Sequence, residues 1–176
     1  MFESVHLPVN PVSFGQVSTA LLRKFYEEGL FPNLFTIGKV DLSSQKQDQE
    51  FIKWIQECAN KASKKHSRET PIFKFWHIAQ SLESFSNNQS LFTFYELDQP
   101  TELELNILNN NKKVCVSSRY TKDTFETFGL SNVEYIPLFF DKTNFSISDK
   151  EYHPDRIVFN ICGKFEHRKH HVKAIR

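Results

Sequence analysis

The sequence predicts an α/β fold, a doubly wound and mostly parallel sheet with helices on both faces. Two patterns support this prediction. Short runs rich in Val, Ile and Phe alternate along the chain with segments in which apolar residues recur at helical spacing. Such alternation is typical of parallel sheets built from strand–helix–strand units. Eighteen Phe among 176 residues, within a hydrophobic content of 39%, supply enough apolar area for a core.

Six short runs are predicted to be strands, because each is rich in β-branched or aromatic residues and is bounded by Gly, Pro or polar residues. Pro137 ends the last of them, since proline cannot donate to a sheet ladder. The predicted strands are a first one beginning near Val5 and residues 33–37, 72–76, 91–95, 113–116 and 133–136.

Two amphipathic helices are predicted in the first third of the chain. The first covers residues 16–28 and ends at Gly29, a residue type common just after a helix. The second covers residues 48–62, where apolar residues recur every three or four positions. Its buried face is predicted to consist of Phe51, Ile55, Cys58 and Ala62.

Two further helices are predicted between the later strands. The third is expected to begin at Asp98 and Pro100, although its TELELNI sequence also alternates with period two. The fourth is expected to be capped by Ser118 and closed by Gly129. Its inward residues are predicted to be Thr124, Phe125 and Phe128.

The predicted domain organisation places one domain in residues 1–137, a linker in residues 138–154 and the start of a second domain in residues 155–176. The helical and strand patterns disappear in the linker, where polar residues dominate. The run 157–162 is long enough for one buried strand. Residues 163–176 then carry five basic residues against one acidic residue, whereas the whole chain has a net charge of +1.

Charge and cysteine content exclude several functional classes. With 22 Lys and Arg against 21 Asp and Glu, the chain has no overall field that would attract nucleic acid. Cys58, Cys115 and Cys162 are odd in number and far apart, which predicts reduced thiols in a cytoplasmic protein. No apolar run approaches the roughly 20 residues that span a bilayer, so no integral membrane segment is expected.

The basic segment predicts an anion site, because a strand there gives way to a helix start at which backbone N–H groups meet phosphates. Gly163, Lys164 and Lys169 are the candidate residues, and a solvated basic helix start explains them equally well. No metal site is predicted, because basic neighbours repel a cation from the histidines of this segment, His167, His170 and His171.

The end of the sequence runs in a fixed order: a predicted strand, the pair Gly163-Lys164, four further residues and then Lys169. This order resembles the opening of the second Rossmann domain in retaining GT-B glycosyltransferases, the family that includes sucrose synthases and mannosyltransferases. In that family a basic residue after the glycine and a later lysine hold the diphosphate of the donor. This chain departs from the family pattern at Lys164, where Arg is more frequent, and at His170, where Gly usually follows the lysine.

The same resemblance extends through residues 114–145. In the family a strand ends in serine, a helix carries Phe and closes with Gly, and the next strand ends in Ile-Pro before an Asp and a Phe. The matching residues here are Ser117, Phe125, Gly129, Ile136, Pro137, Asp141 and Phe145. The resemblance implies a Rossmann-like, acceptor-side N-terminal domain followed by the start of a truncated donor domain.

The resemblance also implies site residues. Lys164 and Lys169 would stabilise the leaving diphosphate beside Gly163, and His77 would lie by the donor sugar. The loop bearing Gly15 would face the cleft between the domains. Hydrogen bonds to the donor or acceptor are implied for Ser13, Gln16, Glu96 and Ser117.

Structural explanations stay open for several of these residues. Gly15 is also a simple turn glycine, and Ser13 and Gln16 are also suited to capping the first helix. His77 is equally suited to a partly buried structural position, and Asp98, next to Glu96, to helix capping.

The implied reaction is the transfer of a hexose from a nucleotide diphosphate sugar to a carbohydrate or other hydroxyl acceptor, without a metal or other cofactor. Because so little of a donor domain is present, the 176-residue chain alone is expected to have little transferase activity. The alternative is a non-catalytic Rossmann-like module that binds a phosphate ligand or a protein. In either case an uncovered apolar face would favour self-association.

Overall fold

The computed structural model describes residues 3–46, 48–145, 153–163, 165 and 167–175. Its elements alternate as predicted, and all six strands predicted for residues 1–137 are present. They are β1 (Ser4–Pro8), α1 (Ser13–Glu27), β2 (Asn33–Ile37), α2 (Gln49–Lys65), β3 (Ile72–Phe75), β4 (Gln89–Thr93), α3 (Glu102–Asn109), β5 (Lys113–Val116), α4 (Arg119–Thr127), β6 (Val133–Tyr135) and the short α5 (His171–Ile175). Single 3₁₀ turns form at Ile78–Gln80 and His167–Lys169.

The strands form one sheet in the order β2-β1-β3-β4-β5-β6, and every neighbouring pair is parallel. The predicted α/β class and the parallel sheet are therefore confirmed, and the fold is consistent with a Rossmann-like architecture. None of the helices in the described ranges is long and apolar enough to cross a membrane.

Two apolar clusters pack on the sheet, one for each set of alternating strand residues. Val5, Phe73 and Phe92 lie on one face with the apolar residues of α1 and α2. Leu91 and Val114, one register position away, pack with α3 and α4. Helices therefore supply apolar cover on both faces of the sheet.

The predicted helix ends at Gly29 and Gly129 are confirmed. Both glycines have positive φ, 67° and 88°. After α1, the N–H of Gly29 donates to Tyr26 O and that of Leu30 to Phe25 O, the pair of bonds that satisfies the last helical carbonyls. Ser118 also caps α4 as predicted, because its hydroxyl accepts the N–H of Thr121.

Two helix predictions were wrong in detail. Asp98 does not start α3: Thr101 is the N-cap, its hydroxyl accepts the Glu104 N–H, and the Glu104 carboxylate accepts the Thr101 N–H. Phe128 is not an inward residue but the C-cap of α4, and 44% of it is exposed. Of the three residues predicted to face inward, Thr124 is half-buried and only Phe125 is fully buried.

The chain divides into two compact units between Phe145 and Ser146. Residues 138–145, assigned to the linker from sequence, belong to the first unit. The ring of Phe139 lies 5.8 Å from that of Phe92 on β4, and Asp141 is buried. Phe139 and Asp141 therefore pack this segment against the rest of the first unit, although its sequence lacks any periodic pattern.

A buried arginine links three parts of the first unit. Arg23 of α1 donates to the carboxylate of Asp48, the N-cap of α2, at 2.8 Å. Its Nε lies 4.0 Å from Asp141 Oδ2, and its guanidinium lies 3.6 Å from the centre of the Phe51 ring. Two helices and the segment 138–145 therefore share one buried cation.

The second unit does not contain the predicted strand. Residues 157–162 form no strand, and Ile157 and Phe159 are 83% and 89% exposed. A strand requires a neighbour to complete its backbone hydrogen bonds. The described part of this unit provides none, so its apolar run stays uncovered. The predicted helix after Gly163 is only the five-residue α5.

A second buried cation, Lys74, holds the connection between β3 and β4, which contains no α-helix among its described residues. Lys74 of β3 is 1% exposed, and burial lowers the pKa of its ammonium group to about 8. The ammonium donates to the carbonyls of Gln80, Ser81 and Glu83 at 2.8, 3.2 and 2.6 Å. These bonds hold a connection whose regular structure is a single 3₁₀ turn.

We expect Lys74→Met to lower the free energy of unfolding by at least about 2 kcal/mol, because it leaves three carbonyls without their donor. Urea denaturation measures the change. Lys53→Met is the matched control, since Lys53 is exposed on α2 and forms only a 3.9 Å ion pair with Glu57. Equal stability of the two variants would contradict the role given to Lys74.

Candidate functional site

The candidate site lies at the carboxyl-terminal edge of the sheet, where the strand order reverses. From β1 the chain moves to β2 on one side, and from β2 it returns to β3 on the other side of β1. In open parallel sheets ligands collect in the crevice outside the carboxyl ends of the two strands at such a point. Here the corresponding position, called the crevice below, is bordered by residues 9–12 after β1 and residues 76–77 after β3.

An aromatic cluster fixes the geometry of this edge. Phe14, in the first turn of α1, is buried, and its ring lies 4.7 Å from that of Phe75 and 4.6 Å from that of Phe94. The rings of Trp76 and His77 lie 5.5 and 4.5 Å from it. The start of α1 is thereby held against the ends of β3 and β4.

The structure places His77 at this edge, two residues after the end of β3. The residue is exposed, although one side of its ring packs on Phe14. Within the described residues its ring nitrogens make no hydrogen bond, so both are available to a ligand hydroxyl. Imidazole suits that contact near neutral pH because it both donates and accepts.

Gly15 lies slightly further along the chain than the strand–helix junction predicted for it. It lies inside the first turn of α1, not at a strand–helix junction, and it is buried. A Cβ added to it would stand 2.2 Å from the backbone oxygen of Asn10 and 2.3 Å from its Oδ1. The close approach that requires glycine here is to the chain's own loop.

The side-chain amide of Gln16 is also used within the chain. Its Nε2 donates to Pro11 O at 3.2 Å and to Ser44 Oγ at 2.9 Å, and its Oε1 accepts from Gln45 Nε2 at 2.8 Å. Gln16 therefore joins the loop after β1 to the loop after β2, and a ligand would have to compete for its amide.

Ser13 is exposed at the first position of α1 and makes no hydrogen bond within the described residues. It does not cap the helix: Val12 is the N-cap, with no side-chain bond, and the Asn10 side chain accepts the Val12 N–H at 3.1 Å. Ser13 therefore remains available to a ligand at the crevice.

Glu96 and Ser117 follow neighbouring strands at the same edge. Glu96 is exposed three residues beyond the end of β4, and Ser117 is half-buried directly after β5. Between them the hydroxyl of Thr121 donates to Tyr95 O at 3.1 Å, which joins the end of β4 to α4. Parallel strands bring both residues to one edge, two and three strands away from β1 respectively.

The basic segment lies in the second unit. Gly163 and Lys169 are close together, since a Cβ at Gly163 would lie 3.8 Å from Lys169 Cε. Lys164 lies outside the described residues. The rings of His167 and His170 are 5.9 Å apart, and among the described residues no three His, Cys, Asp or Glu form a group that could hold a metal ion.

Sequence reasoning missed the two residues that shape the edge most, Asn10 and Phe14. The dipeptide Asn10-Pro11 is a turn signal that marks the end of β1. Phe14 has no such signal, because a phenylalanine at the start of a helix is indistinguishable from the many other phenylalanines of the core.

We expect Gly15→Ala to destabilise the protein by at least about 2 kcal/mol, because the added methyl group would overlap the backbone of Asn10. Thermal and urea unfolding measure the effect. Ser13→Ala, at an exposed position two residues away in the same turn, is the control and is expected to leave stability unchanged. A Gly15→Ala variant as stable as that control would show that the loop can move aside.

The crevice thus combines the exposed imidazole of His77, the hydroxyl of Ser13 and the aromatic cluster around Phe14 at one edge of the sheet. Its polar groups suit a hydroxyl-bearing ligand, since His77 and Ser13 can each donate and accept hydrogen bonds. No family model, curated protein or solved structure matches this chain.

Proposed function

We propose that this chain provides the acceptor-side domain of a GT-B glycosyltransferase, which transfers a hexose from a nucleotide diphosphate sugar to a hydroxyl acceptor. The observation that carries the proposal is the reversal of strand order between β1 and β3, with His77 and the start of α1 at the carboxyl-terminal edge. The resemblance of residues 114–145 to that family supports the same function.

At the carboxyl edge of the sheet, His77 lies by the donor sugar, Ser13 hydrogen-bonds a sugar hydroxyl, and the exposed carboxylate of Glu96 orients the acceptor hydroxyl that attacks. Ser117 lies further along the same edge and contributes a hydroxyl. Gly15 and Gln16 act indirectly, because they hold the loops that border the crevice. The close aromatic packing around Phe14 supports this division, since catalysis requires well-positioned groups.

On the donor side, Lys164 and Lys169 balance the charge of the diphosphate beside Gly163. During transfer the bond from the anomeric carbon to the diphosphate oxygen breaks, the acceptor oxygen bonds to that carbon, and the acceptor proton passes to the departing diphosphate or to solvent. Two cations next to the departing oxygen stabilise its growing negative charge without a metal. The proximity of Gly163 and Lys169 supports this assignment.

A non-catalytic binding module is the second candidate. The observation that favours it is the exposed apolar run of the second unit, in which Ile157 and Phe159 are almost completely uncovered. Exposed apolar residues that lie together in sequence are typical of surfaces that contact another protein.

Calorimetry with UDP-glucose and GDP-mannose separates the two candidates. We expect a nucleotide sugar to bind the chain weakly, and Lys169→Ala to weaken that binding by roughly tenfold, because a charge-assisted contact to the diphosphate is lost. Lys173→Ala is the control, since Lys173 is also exposed in the same segment.

Absence of binding by either nucleotide sugar, or identical affinities for the wild type and Lys169→Ala, would overturn the enzyme proposal and leave the binding module. Equal losses in Lys169→Ala and Lys173→Ala would assign the effect to general charge and not to a diphosphate contact.

A further inference from the structure

A cavity of about 880 Å³ lies at the amino-terminal edge of the sheet, opposite the crevice described above. It opens between the end of α1, the start of β2 and the last turns of α2. Glu3 precedes β1 and Asn33 begins β2, which places the cavity where the strands start. Its volume is within the range of small-molecule sites, about 300–1,000 Å³.

The walls of the cavity are apolar. They include Phe25 at the end of α1 and Leu30, Phe31 and Pro32 in the turn that follows. Phe31 is 41% exposed, so its ring offers an uncovered aromatic surface to a ligand. Burying such a surface against an apolar ligand is favourable in water.

The rim of the cavity is basic. Lys61 and Lys65 are four residues apart on α2 and therefore project on the same side of the helix. The Lys61 ammonium contacts Phe31 O and lies 5.1 Å from the centre of the Phe31 ring. Lys64 lines an adjoining recess of about 330 Å³ together with Lys61 and Lys65.

These three lysines have no carboxylate partner within 4 Å among the residues that the structure describes. Glu3 is the single acidic residue that lines the cavity. The dipole of α2 favours basic residues in its last turn, but it does not explain an open apolar cavity next to them. An anionic group at the rim would complement their charge.

A buried acceptor without a partner supplies an independent observation. Asn33 lines the cavity and is 3% exposed. Its Nδ2 donates to Ser4 Oγ at 3.0 Å, whereas its Oδ1 makes no hydrogen bond within the described residues. A buried acceptor without a donor is unfavourable. The oxygen is covered in this structure, so a ligand hydroxyl or N–H group would relieve that cost after a small movement of the Asn33 side chain.

We propose that this cavity binds a small amphipathic acid with an aromatic or apolar body, a carboxylate and a hydrogen-bond donor. The body packs against Phe25 and Phe31, the carboxylate lies between Lys61 and Lys65, and the donor reaches Asn33 Oδ1. Phosphate alone lacks the body, and a neutral apolar compound lacks the charge, so neither satisfies the site.

The test is a titration of the whole chain with 3-(4-hydroxyphenyl)propionate, followed by the amide chemical shifts of ¹⁵N-labelled protein. We expect saturable shifts at Phe31, Asn33 and Lys61. The methyl ester of the same compound, acetate and inorganic phosphate are the control ligands, and we expect each to bind much more weakly, because each lacks either the charge or the apolar body.

Two variants test the basic rim. The double substitution Lys61→Gln and Lys65→Gln is expected to weaken binding by roughly tenfold, and Lys65→Gln alone, at an exposed position, keeps the test valid if the double variant unfolds. Lys53→Gln on the same helix is the matched control, since Lys53 does not line the cavity.

Several results would overturn the proposal: no saturable shifts, equal binding of the ester or of acetate, or unchanged affinity in both rim variants. None of these results affects the glycosyltransferase proposal, because its residues lie at the other edge of the sheet and in the second unit. Conversely, failure of nucleotide sugars to bind leaves this cavity unchanged.

Discussion

The first unit depends on one buried cation. Arg23 is 3% exposed. Its guanidinium bonds the Asp48 carboxylate and lies over the face of the Phe51 ring, and its Nε is 4.0 Å from Asp141 Oδ2. Burying a charge is costly unless it is paired, so the position of Arg23 fixes the positions of its partners. Asp141 in turn accepts the N–H groups of Thr143 and Asn144 and thereby folds residues 141–144. The Arg23 guanidinium thus holds α1, α2 and the segment after β6 next to one another.

Most of the fold could be predicted from local pattern. The alternation of strand and helix patterns predicted all six strands of the sheet. The two helix ends at Gly29 and Gly129 and the helix start at Ser118 could be predicted because these residue types are local signals. The start of α3 was mispredicted although the Thr101-x-x-Glu104 signal of a capping box was present in the sequence. Residues 138–145 and 157–162 were mispredicted for a different reason. Their packing or exposure depends on distant partners, such as Phe92 for Phe139, and these partners leave no local pattern.

The candidate site was predictable in its location and less so in its contacts. Strand order cannot be derived from alternation alone, yet any such sheet directs the residues after its strands to one edge, and His77, Glu96 and Ser117 lie there. The uses of Gly15 and Gln16 were not predictable, since they depend on Asn10 and on the loop of residues 44–45, which only the folded chain brings near. The two edges of the sheet differ in chemistry: exposed hydrogen-bonding side chains lie at the carboxyl edge, and a basic, apolar cavity lies at the amino edge.

The dependence on Arg23 is tested most directly by a double-mutant cycle of Arg23→Met and Asp141→Asn, measured by urea unfolding. Asparagine keeps the oxygen that accepts the backbone N–H groups and removes the charge. Arg23→Met leaves the buried Asp141 carboxylate without its cation, and Asp141→Asn removes one of the two carboxylates next to Arg23, the other being Asp48. The double variant is therefore expected to lose less stability than the sum of the two, with a coupling of at least about 1 kcal/mol. Additive losses, equal within about 0.3 kcal/mol, would contradict a shared buried charge.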